Sequence, residues 1–190
     1  MRLMETDEFW HLIEAARSQA GERRTFDQAL VELLAARSKK KILEYQEQFD
    51  ELHHALYRWD VWAAAYLIGG GCSDDSFIDF RAGVIAQGRG WYERIALDPD
   101  ELAEHPLVVT AADAHDDLFY ESVNYSARYA FKQLTGGEED FHQAWEHYRS
   151  TRAREQVDAD MGEDFDFDDD EQMRHRLPRL AALCLQDRPA

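Results

Sequence analysis

Apolar side chains recur every three or four residues along most of this chain, and capping residues or glycines separate one run from the next. That spacing places the apolar side chains on one face of an α-helix, whereas a half-buried strand would alternate at every second residue. No segment alternates in that way, and no internal repeat is present. The sequence therefore predicts an all-α fold: a single compact domain over residues 1–190 with seven to nine helices.

Local capping signals give the predicted helices their ends. Thr25 is followed three residues later by Gln28, which is the pattern of a capping box at a helix N-terminus. A long helix is predicted over residues 113–134, ended by Gly136. The final helix contains Pro178, which is expected to bend or interrupt it.

The net charge of −18 restricts the partners of the protein. An acidic surface repels phosphate backbones and anionic membranes, so direct binding to nucleic acid or lipid is not expected, whereas basic proteins would be attracted. Residues 155–171 alone hold ten acids and no base. This tract has little apolar area to offset the entropy of ordering, and we expect a mobile acidic loop that Phe165 and Phe167 could pin in place.

Cysteine content and apolar run length indicate a cytoplasmic protein. The two cysteines, Cys72 and Cys184, form no CxxC pair and suggest unpaired thiols in a reducing compartment. No apolar run reaches the roughly 18 residues of a membrane-spanning helix. The first residues turn acidic quickly and lack the apolar segment of a signal peptide.

The run "GGGCSDDSFIDFR", residues 69–81, is the least ordinary stretch of the chain. Its simplest interpretation is a corner between two helices, in which glycines end the first and a serine caps the second. Aspartates in the first turn would then complement the helix dipole. The residues assigned to this structural corner are Gly69, Gly70, Gly71, Ser73 and Asp75.

The interpretation of residues 69–81 as a helix corner does not explain Arg81. At about 100° per residue, Arg81 and Asp74 fall about 40° and 60° from Phe77, inside the apolar arc of the helix. A buried guanidinium requires a carboxylate or an anionic ligand. We therefore predict an ion pair of Arg81 with Asp74 or Asp60. Burial of the side-chain stem with the charged group in water is a further interpretation, and an anion or substrate site is the alternative. The candidate ligand-binding residues of that alternative are Arg81, Asp74, Asp60, Trp59 and Trp62.

The sequence contains no strong signature of catalysis or metal binding. Three Glu-x-x-His pairs suit a di-metal helix bundle in principle, but His11 and His54 are expected to face solvent. The acidic tract lacks the Gly and Glu that a calcium-binding EF-hand needs. Nucleophile-elbow, phosphate-loop and dinucleotide motifs are absent. Cys72 precedes a helix N-terminus that could lower its pKa, although a buried thiol is the simpler interpretation. No metal or cofactor is predicted.

Three segments carry a family resemblance: "DEFWHLIEAAR", "YRWDVWAAAYLIGGGCSDDSFIDFRAGVIAQGRGWYERIALDPDEL" and "YAFKQLTG". Together they resemble the bacterial domain-of-unknown-function family numbered 4240, which is common in actinobacteria. The resemblance runs from Phe9 to about Leu183. It implies a small helical domain and brings no activity with it. Family members usually have a Trp near Gly83 and an Asn at Gly69 or Gly70, so a site formed by those residues would be altered here.

Three functions are compatible with these features. The first is a non-enzymatic interaction or regulatory protein that binds a basic protein through its acidic surface, one version of which is mimicry of a nucleic acid. The second is a small-molecule or anion binder, or an enzyme, with its site at the corner 69–81. The third is a structural domain without a dedicated ligand. The charge and the lack of catalytic motifs favour the first and argue against an enzyme.

Overall fold

A computed structural model describes residues 4–110, 118–152 and 160–185. In those ranges the regular structure is helical, and the one extended pairing is an isolated bridge between Gly21 and Arg24. The all-α prediction is confirmed, and the predicted number of helices agrees roughly. In chain order the α-helices are α1 (Thr6–Gln19), α2 (Phe26–Ala35), α3 (Lys39–Ala55), α4 (Trp59–Gly69), α5 (Asp74–Ala86), α6 (Arg89–Leu97), α7 (Pro106–Val109), α8 (Ser126–Thr135), α9 (Phe141–Ser150), α10 (Asp170–Arg176) and α11 (Pro178–Cys184). Two 3₁₀ helices cover Pro99–Glu104 and Glu121–Tyr125.

The chain divides into two compact units. The first comprises Met1–Leu52 and Ser122–Asp158, and the second comprises His53–Glu121 and Ala159–Ala190. Helix α3 crosses the boundary between them, because its last three residues belong to the second unit. That residues 1–190 form a single folding domain stays a prediction.

Apolar faces at helical spacing build the first unit. Helix α2 packs against both α1 and α8. Its buried face includes Leu30 and Leu34, which are fully enclosed. The aromatic ring of Phe9 on α1 stacks on that of Tyr45 on α3, with centroids 5.0 Å apart. The periodic residues that predicted these helices are therefore the ones that form the core.

The second unit is organised around α4, which packs against α5, α11 and the 3₁₀ helix Pro99–Glu104. The start of α11 has no cap from its own preceding residue, Leu177. Instead the buried carboxylate of Asp100 accepts hydrogen bonds from the backbone N–H groups of Arg179 and Leu180, at 3.0 and 2.9 Å. A side chain distant in sequence thus satisfies the orphan donors of this helix end.

Several predicted helix ends are confirmed. The capping box of Thr25 and Gln28 is formed at the start of α2. Gly136 ends α8 in the left-handed conformation, with φ of 63°. Pro178 separates α10 from α11, as its missing N–H and ring geometry predict.

The predicted helix over 113–134 is confirmed from Ser126 onward and is interrupted before that residue; its residues 113–117 lie outside the described ranges. The backbone N–H of Tyr120 donates to the carbonyl of Asp79 on α5, at 3.1 Å. A donor bound to another helix cannot continue an α-helical ladder, so a 3₁₀ helix follows and α8 begins only at Ser126.

Candidate functional site

The glycines of the corner have the backbone role that the sequence predicted. Helix α4 ends at Gly69, and Gly70 follows in the left-handed conformation with φ of 64°. Gly71 also has a positive φ, 136°, which side chains other than glycine rarely adopt. The indole N–H of Trp62 donates to the carbonyl oxygen of Cys72 at 3.0 Å, so the corner is bonded back to α4.

The start of α5 is capped as predicted but is more exposed than the helical projection indicated. The hydroxyl of Ser73 accepts from the backbone N–H of Ser76 at 3.2 Å. Ser73, Asp74 and Asp75 are all exposed, and burial begins only at Phe77. The prediction that Asp74 lies on the buried face is wrong, because the first turn of α5 is open to solvent.

Arg81 is buried, as predicted, with 7% of its surface exposed. Its Nε donates to the carbonyl of Phe77 at 3.3 Å, and its Nη1 donates to the carbonyl of His53 at 3.1 Å. The guanidinium carbon also lies 4.8 Å from the ring centroids of both Tyr57 and Phe77. Burial lowers the pKa of Arg81 to about 10, so the group remains charged at neutral pH. Carbonyl dipoles and aromatic faces stabilise this cation.

The predicted ion pair of Arg81 with Asp74 or Asp60 is not formed within the described residues. Asp60 instead accepts two hydrogen bonds from Arg58, at 2.9 and 2.6 Å. It also accepts from the backbone N–H of Val61 in the first turn of α4. Two short-range partners satisfy Asp60, which lies in the first turn of α4. Ligand binding at the corner stays a prediction.

His53 lies beside Arg81 and is held neutral by its surroundings. Its Nε2 lies 2.9 Å from the carbonyl oxygen of Ile78, an acceptor, so this nitrogen carries the proton. Burial and then the charge of Arg81 lower the pKa of His53 to about 4. The unfolded chain would titrate near 6.5.

This difference predicts acid sensitivity. Between pH 6.5 and 4 the unfolded state binds a proton that the folded state does not, so stability falls as the pH falls. Urea unfolding of wild type should therefore lose about 2–3 kcal/mol between pH 7 and 4.5 from this group. A His53→Gln variant keeps an N–H donor but does not titrate. Its free energy of unfolding should therefore fall by about 2–3 kcal/mol less than that of wild type over the same pH range. His54→Gln is the matched control at an exposed neighbour, and an identical pH dependence in all three proteins would contradict the assignment.

The aromatic residues of α4 form a half-buried cluster. The rings of Trp59 and Trp62 stack with centroids 5.6 Å apart, and Trp62 stacks on Phe77 at 4.7 Å. Phe167, from the acidic tract, contacts Trp59, Trp62 and Tyr66 with centroid distances of 6.1, 6.4 and 5.6 Å. This surface is thus packed against a segment of the same chain.

Residues 160–169 of the acidic tract lie on this cluster without forming a helix, and α10 begins at Asp170; residues 155–159 lie outside the described ranges. Phe165 is buried under the guanidinium of Arg176, 4.4 Å from its ring centroid. The backbone N–H of Trp59 donates to the carbonyl of Met161 at 3.0 Å. The prediction that the two phenylalanines pin this segment is confirmed in its described part.

One further contact of this segment was not predicted. The hydroxyl of Tyr66 donates to the carboxylate of Asp168 at 2.5 Å. Tyr66 lies on α4, and nothing in the local sequence pattern indicates a partner 102 residues away.

Two groups of carboxylates in the second unit differ in how many of their members pair with a basic side chain. Arg94 and Arg179 pair with all four acids around the 3₁₀ helix Pro99–Glu104. Those acids are Asp98, Asp100, Glu101 and Glu104. Residues 160–171, by contrast, contain no base. The exposed Asp160, Asp164 and Asp166 make no ion pair with any described residue. The negative charge of this segment is therefore largely uncompensated.

The sequence profile of the family described as "Protein of unknown function (DUF4240)" matches residues 4–133, more than half of the chain. The chain belongs to this family. No curated protein and no solved structure matches it. In the described part of this DUF4240 chain, no helix combines the length and apolarity that crossing a membrane requires.

Gly83, near which DUF4240 members are expected to carry a Trp, has no room for a side chain of its own in this chain. Gly83 lies in the middle of α5, and a Cβ placed on it would lie 2.1 Å from the carbonyl oxygen of Leu118. Backbone therefore occupies the space that a side chain would need.

The thiols of this DUF4240 chain are free and half-buried. Burial raises the pKa of Cys72 to about 12, and burial also raises the pKa of Cys184. The dipole at the start of α5 does not overcome that desolvation, so Cys72 is a thiol and not a nucleophilic thiolate at neutral pH.

The histidines considered for metal binding point to solvent. His11 and His54 are both exposed, as the helical projection predicted. Among the residues that the structure describes, no three histidine, cysteine or acidic side chains converge as a metal site. The Glu-x-x-His spacing is thus a surface feature of α1 and α3.

Proposed function

We propose that this protein is a non-enzymatic interaction module that binds a basic protein through residues 160–171, here called the acidic segment. The observation that carries the proposal is the contrast between the two carboxylate groups of the second unit. Every acid around Pro99–Glu104 pairs with Arg94 or Arg179, whereas most acids of the acidic segment pair with no described base. An uncompensated negative surface attracts and orients a positively charged partner.

The anchoring of the segment supports the same proposal. Phe165 and Phe167 are packed into the second unit, and Asp168 is bonded to Tyr66. Asp160, Asp164 and Asp166 are exposed, and the last two flank Phe165 in the sequence. Because the anchors restrain the backbone, less entropy would be lost when a partner binds these carboxylates.

Mimicry of a nucleic acid is the more specific version of this proposal. A protein that normally binds DNA or RNA recognises regularly placed negative charges on a backbone. In this version the partner is a nucleic-acid-binding protein, and the chain acts in the cytoplasm of an actinobacterial host. Competition by duplex DNA for the captured partner tests it, with polyglutamate at the same charge concentration as the control, since simple charge attraction predicts equal displacement by both polyanions.

The test of the general proposal compares two variants with the same change in charge. The first replaces Asp160, Asp164 and Asp166 by Asn, and the second replaces three exposed acids of the first unit by Gln. Those control positions are Glu22, Glu138 and Glu146. Each variant and wild type is immobilised, exposed to host lysate and eluted with a salt gradient.

We expect one basic protein to bind wild type and the control variant stoichiometrically and to elute at moderate salt. The Asn variant should lose at least tenfold in affinity, because three carboxylates at about 0.5 kcal/mol each are removed from the contact. Equal retention by both variants would contradict a site on the acidic segment. Binding that survives high salt would contradict the electrostatic basis of the proposal.

A further inference from the structure

A cavity of about 350 Å³ lies in the first unit beside α3, α8 and α9. Pockets that bind small organic molecules span about 300–1,000 Å³ and are lined mostly by apolar groups. The floor of this cavity is formed by Leu43, Phe131, Ala144 and Tyr148, one aliphatic, two aromatic and one small side chain. Such a floor suits a ring system or a short alkyl chain.

Basic side chains line the edge of the same cavity. Lys39 and Lys40 come from the first turn of α3, and Arg152 follows the end of α9. The one acidic residue of the lining is Glu139. In a chain with 39 acids and 21 lysines and arginines, a lining with three such bases and one acid is the reverse of the overall composition.

Two buried carboxylates hold two of these cations, Lys40 and Arg152, in place. The side chain of Glu44 is fully buried, and one of its oxygens lies 3.3 Å from Nζ of Lys40. Glu47 is buried as well; it contacts Arg152 and accepts from the hydroxyl of Tyr148 at 2.8 Å. Removing carboxylates from water is costly, and here each one fixes a cation that lines the cavity.

The remaining ion pair at the cavity is easily exchanged. Lys39 and Glu139 contact each other with 48% and 51% of their side chains exposed. An exposed pair of this kind contributes about 0.2–1 kcal/mol. A bound carboxylate could therefore replace Glu139 as the partner of Lys39 at little cost.

We propose that this cavity binds a small organic anion with an apolar body, namely an aromatic or short-chain carboxylate. The apolar body lies on the floor around Phe131, and the carboxylate faces Lys39 and Lys40. A second cavity of about 460 Å³ nearby suits an anion less well, because the acids of its lining outnumber the bases. The acids are Glu47, Asp50 and Glu146, and the bases are Arg149 and Arg152. The proposal does not depend on the acidic segment, which belongs to the second unit.

The test uses 2-naphthoate as the probe and the full chain at low salt, measured by isothermal titration calorimetry. The control ligand is 2-naphthalenemethanol, which has the same ring system without the charge. We expect saturable 1:1 binding of the naphthoate and at least tenfold weaker binding of the alcohol, because hydrogen bonds to charged groups contribute about 1.5–3 kcal/mol. No saturable binding, or equal affinity for both ligands, would overturn the proposal.

Variants place the site within the unit. Ala144→Phe fills the floor and should abolish binding. Lys39→Gln removes one exposed cation and should weaken binding about twofold to fivefold, in line with an exposed ion pair. Lys132→Gln is the matched control, since Lys132 is an exposed residue of α8 that does not line the cavity.

Circular dichroism and thermal unfolding confirm that each variant is folded. Should Ala144→Phe fail to fold, the comparison of Lys39→Gln with Lys132→Gln decides the result. The same affinity in those two variants would overturn the assignment of the carboxylate to this edge of the cavity.

Discussion

Replacement of Asp100 by Ala is expected to lower the free energy of unfolding by about 2–4 kcal/mol, because each buried backbone donor left without an acceptor costs about 1–3 kcal/mol. Asp100 is 4% exposed and accepts from the backbone N–H groups of Arg179 and Leu180. It also accepts from Nε of Arg179 at 3.2 Å. Without the carboxylate, two backbone donors at the start of α11 lose their acceptor, and the preceding Leu177 provides no side-chain cap. The guanidinium of Arg179 keeps its other acidic partners.

Urea unfolding at pH 7 measures this loss. Asp100→Asn keeps one acceptor oxygen and should fall between wild type and the Ala variant. Glu104→Ala is the control, because Glu104 pairs with the same Arg179 but has a side chain 58% exposed. An exposed pair contributes about 1 kcal/mol or less. If the two Ala variants lost equal stability, Asp100 would not have the capping role assigned to it.

Short-range features of this fold could be predicted from the sequence because their cause is local. The capping box at Thr25, the serine cap at Ser73 and the break at Pro178 each depend on residues within one turn. Apolar spacing likewise predicted the burial of Arg81. In each case one helix contains all the information that the prediction used.

Contacts between distant segments could not be predicted in this way. In the sequence Asp100 belongs to a short acidic turn, and nothing there indicates that it caps a helix 79 residues later. A helical projection gives the direction of a side chain but not the segment that covers it. For that reason the projection placed Arg81 correctly and yet assigned it the carboxylate of Asp74, which is in fact exposed.

The net charge of the chain likewise does not locate the candidate interaction surface. A net charge of −18 predicts attraction of basic partners, but it does not distinguish acids that are already neutralised. The structure shows which acids are paired. Arg94 and Arg179 pair with the acids around Pro99–Glu104, whereas few bases pair with the acidic segment. The proposal therefore moves from the whole charge of the chain to three exposed aspartates.

Substitution of Gly83 by Ala should destabilise the second unit by about 2–3 kcal/mol, within the range for overpacked cores. The added Cβ would lie 2.1 Å from the carbonyl oxygen of Leu118 and 2.5 Å from its carbonyl carbon. Backbone atoms cannot rotate away as the end of a flexible side chain can, so α5 or the chain at Leu118 must shift. The shift would also strain the hydrogen bond between Tyr120 and Asp79.

Gly90→Ala provides a control in which the same methyl group has the opposite effect. Gly90 is an exposed residue of α6, and a Cβ there meets no atom within 4 Å. Alanine is favoured over glycine in a helix by about 0.5–1 kcal/mol, so this variant should be slightly more stable than wild type. Thermal unfolding of both variants separates close packing at Gly83 from a general preference for glycine. Stabilisation by Gly83→Ala would show that α5 and Leu118 are not in contact.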